Sequence, residues 1–225
     1  MTLLTKIISG DRLSKSRLHD EKGNFVPWKN VVLHGGPAIV SGLLRITIGY
    51  RPELPWIAYT AIDYLEHFLN KNSRVLEFGS GMSTIWYAKH AGEVFSVEDY
   101  RPWYDKVTNM IEANHLDNIT YRFSESETEY STFMSEGEQG FDLIMVDGSY
   151  RSKCISHAEK LVKSGGILYL DNSDIDSGPI GGDMRIAETL ARNFAENYDA
   201  QVIAITDFAP TVFFVTQGLC VKLPG

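Results

Sequence analysis

Cysteine is scarce in this chain. Two occur in 225 residues, Cys154 and Cys220, too few for a disulfide framework, and they read as buried reduced thiols. Positive charge is also in short supply. Against 29 Asp and Glu there are 21 Lys and Arg, a net charge of −8. That balance argues against nucleic acid as a substrate, because a phosphate backbone is met by a basic surface. Long apolar runs are missing too, and no stretch approaches the roughly 18–20 apolar residues of a membrane span. The start, Met1-Thr2-Leu3-Leu4-Thr5-Lys6-Ile7-Ile8, lacks a basic opening followed by a long apolar run and is a poor signal peptide. No internal repeat or low-complexity segment is evident. These absences lead to the expectation of a cytoplasmic protein of one domain, or one domain with an appendage. Its 44% hydrophobic content suffices for a substantial core.

From Arg74 onward, strand-like and helix-like segments alternate. Arg74–Gly79, Glu93–Asp99 and Asn118–Phe123 read as strands. Phe141–Gly148 (FDLIMVDG) and Gly165–Asn172 (GGILYLDN) are nearly continuous apolar runs, as strands buried on both faces should be. Helical spacing falls at Met82–His90, Arg101–Asn114, Arg151–Lys163 and Asp183–Asn197, and Ser124–Gly140 reads as a weak helix and a loop. Ala200–Phe208 and Thr211–Gly218 are β-rich and separated only by Ala209-Pro210, too short a gap for a crossover helix, so they should be antiparallel. The fold class is therefore α/β: a Rossmann-like, doubly wound sheet, mostly parallel, with a C-terminal antiparallel hairpin. Residues 1–73 form a separate N-terminal extension or cap, and 74–225 the ligand-binding domain. Within the extension Gly10–Asn30 reads as irregular, Gly35-Gly36-Pro37 as a break, and Pro55-Trp56 as the start of a helix through about Asn70.

Val75-Leu76-Glu77-Phe78-Gly79-Ser80-Gly81-Met82-Ser83-Thr84 is the most informative segment. It reads as a buried strand, a glycine turn and a helix start. Gly79 and Gly81 leave the turn without side chains, and the helix N-terminus aims free N–H groups at a ligand. The third glycine of a dinucleotide fingerprint is replaced by Thr84. Glu77, two places before the first glycine, repels a pyrophosphate and suits a ligand carrying an ammonium group, as S-adenosylmethionine (SAM) does. The segment resembles the first motif, E-x-G-x-G, of the class I SAM-dependent methyltransferases. The terminal hairpin favours the same fold over the NAD-binding one, which normally ends in a parallel strand.

Open α/β sheets bind ligands beyond the carboxyl ends of their strands. Those ends carry Glu77, Gly79, Ser80 and Gly81; Glu98 and Asp99; Asp147, Gly148, Ser149 and Tyr150; and Asp171 and Asn172. As a cofactor site, Glu98 can accept both ribose hydroxyls, Ser83 and Thr84 can meet the methionine carboxylate, and Ser124 or Glu125 can contact the adenine. Asp147, Asp171 and Asn172 make a hard, all-oxygen set of the kind that suits Mg²⁺. The set resembles that of the metal-dependent catechol and caffeoyl-CoA type O-methyltransferases, where Asp, Asp and Asn hold a metal that activates the substrate hydroxyl. Those enzymes place a lysine shortly after the first Asp; here Gly148-Ser149-Tyr150-Arg151 follow Asp147, leaving Tyr150 as the nearest candidate base.

A further resemblance covers about Trp56 to the C-terminus. Glu77-Phe78-Gly79-Ser80-Gly81 with Ser83-Thr84, then Ser96-Val97-Glu98, then Val146-Asp147-Gly148 with Arg151 and Cys154, then Asp171-Asn172-Ser173-Asp174, is similar to a group of bacterial class I methyltransferase-domain proteins without an assigned substrate. The resemblance implies a SAM-dependent methyltransferase acting on oxygen of a small-molecule, sugar or natural-product-like acceptor. Asp147, Tyr150 and Asp171 would be catalytic, Mg²⁺ a candidate helper, and a homo-oligomer a candidate assembly. The alternatives are an NAD-dependent oxidoreductase and a non-catalytic SAM-fold binding protein. His90, His115 and His157 read as surface or packing residues, and Trp56, Trp86 and Trp103 as core or sheet cover. Trp103 or Tyr104 is also placed to stack near the adenosine. Arg151 reads as an acidic-acceptor contact or a solvated helix start. Ser173–Gly182 (SDIDSGPIGG) is placed as a mobile substrate loop.

Overall fold

Parallel β-strands buried on both faces need helices above and below, and the alternation of strand and helix supplies them. The computed structural model describes residues 14–135 and 140–225; the leader reading of Met1–Ile8 lies outside the described residues. The elements run α1 (Trp28–Ile48), α2 (Tyr59–Phe68), β1 (Arg74–Phe78), α3 (Met82–His90), β2 (Glu93–Glu98), α4 (Arg101–Ala113), β3 (Ile119–Phe123), α5 (Glu127–Ser131), β4 (Phe141–Val146), α6 (Arg151–Ala158), β5 (Val162–Leu170), α7 (Gly181–Asn197), β6 (Gln201–Phe208) and β7 (Val215–Lys222). They build one seven-stranded sheet in the order β3-β2-β1-β4-β5-β7-β6. The first five strands are parallel. β7 runs antiparallel to both β5 and β6.

The two-residue side-chain period of each strand divides the core between the faces. Leu76, Phe78, Ile144, Val146, Leu168 and Leu170 pack on one side with Cys154, Met184 and Phe194 from α6 and α7. Val75, Leu143, Met145, Ile167 and Tyr169 pack on the other with Leu65 of α2 and Trp86 and Tyr87 of α3. Both cysteines are free thiols and buried. His90 stacks on Trp86 with ring centroids 4.1 Å apart, a packing role.

The extension departs most from expectation. Gly35-Gly36-Pro37 does not break the chain; α1 runs through it for 21 residues. An internal proline costs a helix about 3 kcal/mol, and packing on β6 outweighs that cost. The would-be Cβ of Gly42 lies only 2.7 Å from the Phe213 ring, so the glycine lets the helix sit close. At the other end of the contact a fully buried Asp207 on β6 gathers donors from both N-terminal helices. Its Oδ2 lies 2.6 Å from His34 Nδ1 and accepts from Thr60 Oγ1 (2.6 Å) and Thr60 N (3.1 Å).

α1 also corrects the expectation on apolar runs. By length and composition it is long and apolar enough to cross a membrane, and 17% of its apolar window is buried. Its packed face is fixed to β6, while Trp28, Val32, Ile46 and Ile48 on it are more than two-thirds exposed. The periodic reading missed it because three helix-breaking residues sit mid-span.

Smaller differences follow from tertiary pairing. α2 starts at Tyr59, not Pro55. β5 begins at Val162, so α6 stops at Ala158 rather than running to Lys163. The last strand lies at Val215–Lys222 instead of Thr211–Gly218, because its register is set by pairing with β5 as well as β6.

Candidate active site at the carboxyl edge of the sheet

β1 and β4 are neighbours, so the turns that follow them meet. Gly79 has φ +95°, a left-handed conformation that favours glycine. A Cβ there would come within 2.6 Å of the Gly148 backbone, and one on Gly148 within 2.0 Å of the Tyr130 hydroxyl and 2.8 Å of Gly79 Cα. The two turns are therefore in backbone contact and both glycines are required.

Glu77 sits beneath this contact, 0% exposed. Its carboxylate accepts from Ser83 Oγ (2.5 Å), Thr84 Oγ1 (2.6 Å) and Ser96 Oγ (2.7 Å). Thr84 Oγ1 also accepts from Gly81 N at 3.0 Å. This corrects three expectations. Glu77 does not face a ligand, and Ser83 and Thr84 turn their hydroxyls toward Glu77 instead of outward. Together they fasten the first turn of α3 to β1 and β2, which fixes where the α3 N-terminus points. Burial raises the Glu77 carboxyl to about 7, against the lowering effect of its three hydroxyl donors.

Glu98 ends β2 and is 6% exposed. It accepts from Ser80 N (3.0 Å) and Ser80 Oγ (2.7 Å) on one oxygen, and from Asp99 N (3.2 Å) and Tyr100 N (3.0 Å) on the other. Ser80 Oγ has a second partner, the Tyr121 hydroxyl at 2.6 Å. It can turn to Tyr121 and release a Glu98 lone pair to a ligand hydroxyl. Trp103 Nε1 donates to Ser80 O at 2.7 Å and so pins the loop from α4. Ser124 is buried after β3, its Oγ 3.1 Å from Glu129 Oε2. Asp99 is half-buried at the end of β2.

The ends of β4 and β5 hold a different arrangement from the one expected. Arg151, 8% exposed at the start of α6, lies among the oxygens proposed as metal ligands. Its Nε donates to Gly148 O (2.9 Å). Its Nη2 reaches Asp147 O (3.0 Å), Asp147 Oδ1 (3.2 Å) and Asn172 Oδ1 (3.3 Å), and its Nη1 donates to Asp171 O. Asp147 and Asn172 thus spend oxygens on a guanidinium, a cation already built into the chain. Among the described residues no group of three or more His, Cys, Asp or Glu is disposed to hold a metal ion. With the guanidinium on Asp147 Oδ1 and Asn172 Oδ1, the set of Asp147, Asp171 and Asn172 does not fit Mg²⁺. Arg151 is neither a solvated helix start nor an exposed acceptor contact; it clasps two strand ends.

Asp171 is 1% exposed, and its Oδ1 is buried without a hydrogen-bond partner among the described residues. Burial, and then the neighbouring Asp147 charge, push its carboxyl well above the usual range. Burial raises Asp147 as well, while Arg151 and a hydrogen bond from Asp171 pull it back. Of the two, Asp147 is the one held against a cation, Arg151. The Asp147 side chain is 30% exposed. Tyr150 caps α6 with φ +50° and packs its ring on Tyr130 at 5.8 Å. Among the described residues its hydroxyl makes no hydrogen bond to Asp147 or Asp171. The loop after β5 is anchored at its start: Ser173 N donates to Gln217 O (2.8 Å), and Asp174 accepts from Gln217 N (3.0 Å) and Glu21 N (3.2 Å).

No family model matches the chain. Over 178 residues it is 26% identical to a protein-L-isoaspartate O-methyltransferase of Saccharophagus degradans, covering 77% of this chain and 73% of that one. An O-methyltransferase from Bacillus cereus, solved with S-adenosylhomocysteine (SAH), superposes with a TM-score of 0.63 at 18% identity, covering 84% of this chain and 98% of that chain. The O-methyltransferase TomG from Streptomyces achromogenes, solved with SAM, gives 0.60 at 18% identity over 84% and 90%. The chain has the class I SAM-dependent methyltransferase fold. The candidate site comprises the Gly79–Gly81 turn, Glu98 and the Asp147–Arg151–Asp171 cluster, with Glu77 as its support. Arg151 was the residue the sequence reading undervalued. The signal was its position four residues after Asp147 at a helix start, within reach of the preceding strand end.

Two outcomes test this construction. The unfolded Glu77 carboxyl titrates near 4.5 and the folded one near 7, so the unfolded state loses its proton first. Stability should fall as pH rises from about 4.5 to 7, by about 3 kcal/mol in total, and then level off. Glu77→Gln should flatten that profile in thermal melts from pH 4.5 to 8. Arg151→Met strands Asp147 and four carbonyl or amide oxygens; it should cost about 3–5 kcal/mol in urea titration, with Arg151→Lys recovering only part, since one ammonium cannot replace the guanidinium fork.

Proposed function

We propose that this methyltransferase transfers a methyl group from SAM to an oxygen atom of a small-molecule acceptor, and that it does so with Asp147 and Arg151 in place of a metal ion. The observation that carries the reading is the partly exposed Asp147 carboxylate, held by Arg151 at the end of β4 beside the glycine turn. SAM fits the turn and Glu98 for the reasons given above, and when bound it supplies a methyl on a positively charged sulfur.

The chain's own residues then have three tasks. The Gly79–Gly81 turn and the N–H groups at the start of α3 bind the cofactor's polar groups, and Glu98 accepts its ribose hydroxyls once Ser80 Oγ turns to Tyr121. Asp147, partly exposed and held against Arg151, orients the acceptor hydroxyl and takes its proton. Arg151 holds the Asp147 carboxylate in place from the side, through the 3.2 Å contact of Nη2 with Oδ1. Displacement at a sulfonium methyl asks mainly for alignment, so these positioning roles account for most of the catalysis expected of the protein.

The relation to an isoaspartate O-methyltransferase points to a second acceptor class, a carboxylate on a peptide. Incubation with methyl-labelled SAM and EDTA, against a panel of hydroxyl-bearing small molecules and an isoaspartyl peptide, separates the readings. Label should enter a small-molecule hydroxyl at an EDTA-insensitive rate, and Asp147→Asn should lower the rate about 100-fold while leaving SAH affinity unchanged. Label entering the peptide alone, or activity abolished by EDTA and restored by Mg²⁺, would contradict the proposal.

A further inference from the structure

Next to the glycine turn, five side chains alternate cation and aromatic ring. Arg45 lies over Trp56 at 5.0 Å, Arg51 over Trp56 at 5.5 Å and over Trp103 at 5.7 Å, and Lys106 over Trp103 at 4.7 Å. The two indoles are 6.3 Å apart. The ladder abuts the site directly. Trp103 is hydrogen-bonded to Ser80 O, and its ring lies 3.8 Å from where a Gly81 Cβ would be. Three of its members, Arg45, Arg51 and Trp56, come from α1 and the segment after it, outside the strand-and-turn framework that supplies the cofactor site.

The charge of this ladder is uncompensated. Ten Lys and Arg among the described residues are ion-paired, Lys22, Lys89, Arg101, Lys163 and Arg192 among them. Arg45, Arg51 and Lys106 have no carboxylate partner among the described residues. Glu53, which lines the adjoining groove, is paired with Lys89 instead. Two donors in the ladder, Arg51 Nε and Trp56 Nε1, are buried with no acceptor among the described residues. Buried donors without partners and like charges in close array both cost free energy that a bound oxyanion would recover. Burial and the nearby Arg51 charge lower the Lys106 amine, in keeping with that strain. Open grooves flank the ladder on both sides. One of about 640 Å³ is lined by Arg51, Met82 and Lys106, and one of about 440 Å³ by Arg45, Arg51 and Phe213.

We propose that Arg45, Arg51 and Lys106, spaced by Trp56 and Trp103, form an oxyanion site that binds a carboxylate or phosphate carried by the methyl acceptor. As an acceptor site it rests on the methyltransferase reading above. The site accounts for a cluster of positive charge in a chain of net charge −8, and it makes the acceptor an acidic small molecule. The cofactor's methionine carboxylate has a different station, the free N–H groups opening α3.

The test is direct titration of the full chain with benzoate and with inorganic phosphate, followed by tryptophan fluorescence from Trp56 and Trp103, alongside calorimetric titration with SAH. The wild-type chain should bind at least one anion saturably. Arg51→Met and, separately, Lys106→Met should weaken it about tenfold or more, Arg51→Lys should recover part, and SAH affinity should stay within about twofold. No saturable anion binding, or binding indifferent to both Met variants, would overturn the oxyanion site. A tenfold loss of SAH affinity in the Met variants, with binding of carboxylate-free 5′-methylthioadenosine unchanged, would give the cations to the cofactor's carboxylate and overturn the acceptor assignment. If no form of the protein binds SAH while anion binding still depends on Arg51, the methyltransferase reading fails and the oxyanion site stands.

Discussion

The backbone contact between Gly79 and Gly148 is the constraint on which the site depends. Parallel pairing of β1 with β4 brings the two strand ends side by side, and the absence of a Cβ at either position lets the turns touch. A side chain at Gly79 would strike the Gly148 backbone; one at Gly148 would displace the buried Tyr130. The contact also sets Asp147 beside the glycine turn, because Asp147 precedes Gly148 directly and its N–H donates to Phe78 O at 2.9 Å. The chemistry of one strand end is thereby delivered to the ligand loop of the other.

Two polar clusters stabilise that contact from below and from the side. Glu77 and its three hydroxyl donors tie α3 to the sheet, so the helix N-terminus points where the loop opens. Arg151 ties the end of β4 to the end of β5 with one planar group, satisfying backbone carbonyls that would otherwise be buried without donors. A divalent ion would gather carboxylates more tightly but leave those carbonyls unmet. The guanidinium meets the carbonyls and sets its charge against Asp147, favouring that carboxyl's ionised form.

The central sheet was legible in the sequence because its strands are continuous apolar runs bounded by glycine and acid, a pattern that few other structures produce. The glycine turn, Glu98 and the acids at β4 and β5 were found by the same rule, that α/β sheets bind ligands at their carboxyl edge. What sequence could not show was direction. Glu77, Ser83 and Thr84 have the right identities for ligand contacts, but in the fold they face one another. Asp147, Asp171 and Asn172 read as metal ligands until Arg151, an ordinary helix-start residue in one dimension, is seen among them. The α1 helix was missed because local propensity at Gly35-Gly36-Pro37 is overridden by packing on β6. The Arg–Trp ladder joins residues more than fifty positions apart, and no periodicity encodes it.

The account stands on the glycine turn and Glu98 forming a SAM site rather than a nicotinamide dinucleotide site. Calorimetric titration of the purified chain with SAH, and in parallel with NADH, tests that most directly. Saturable binding of SAH in the micromolar range, with no heat from NADH, is the predicted result. Saturable NADH binding with none for SAH would contradict it.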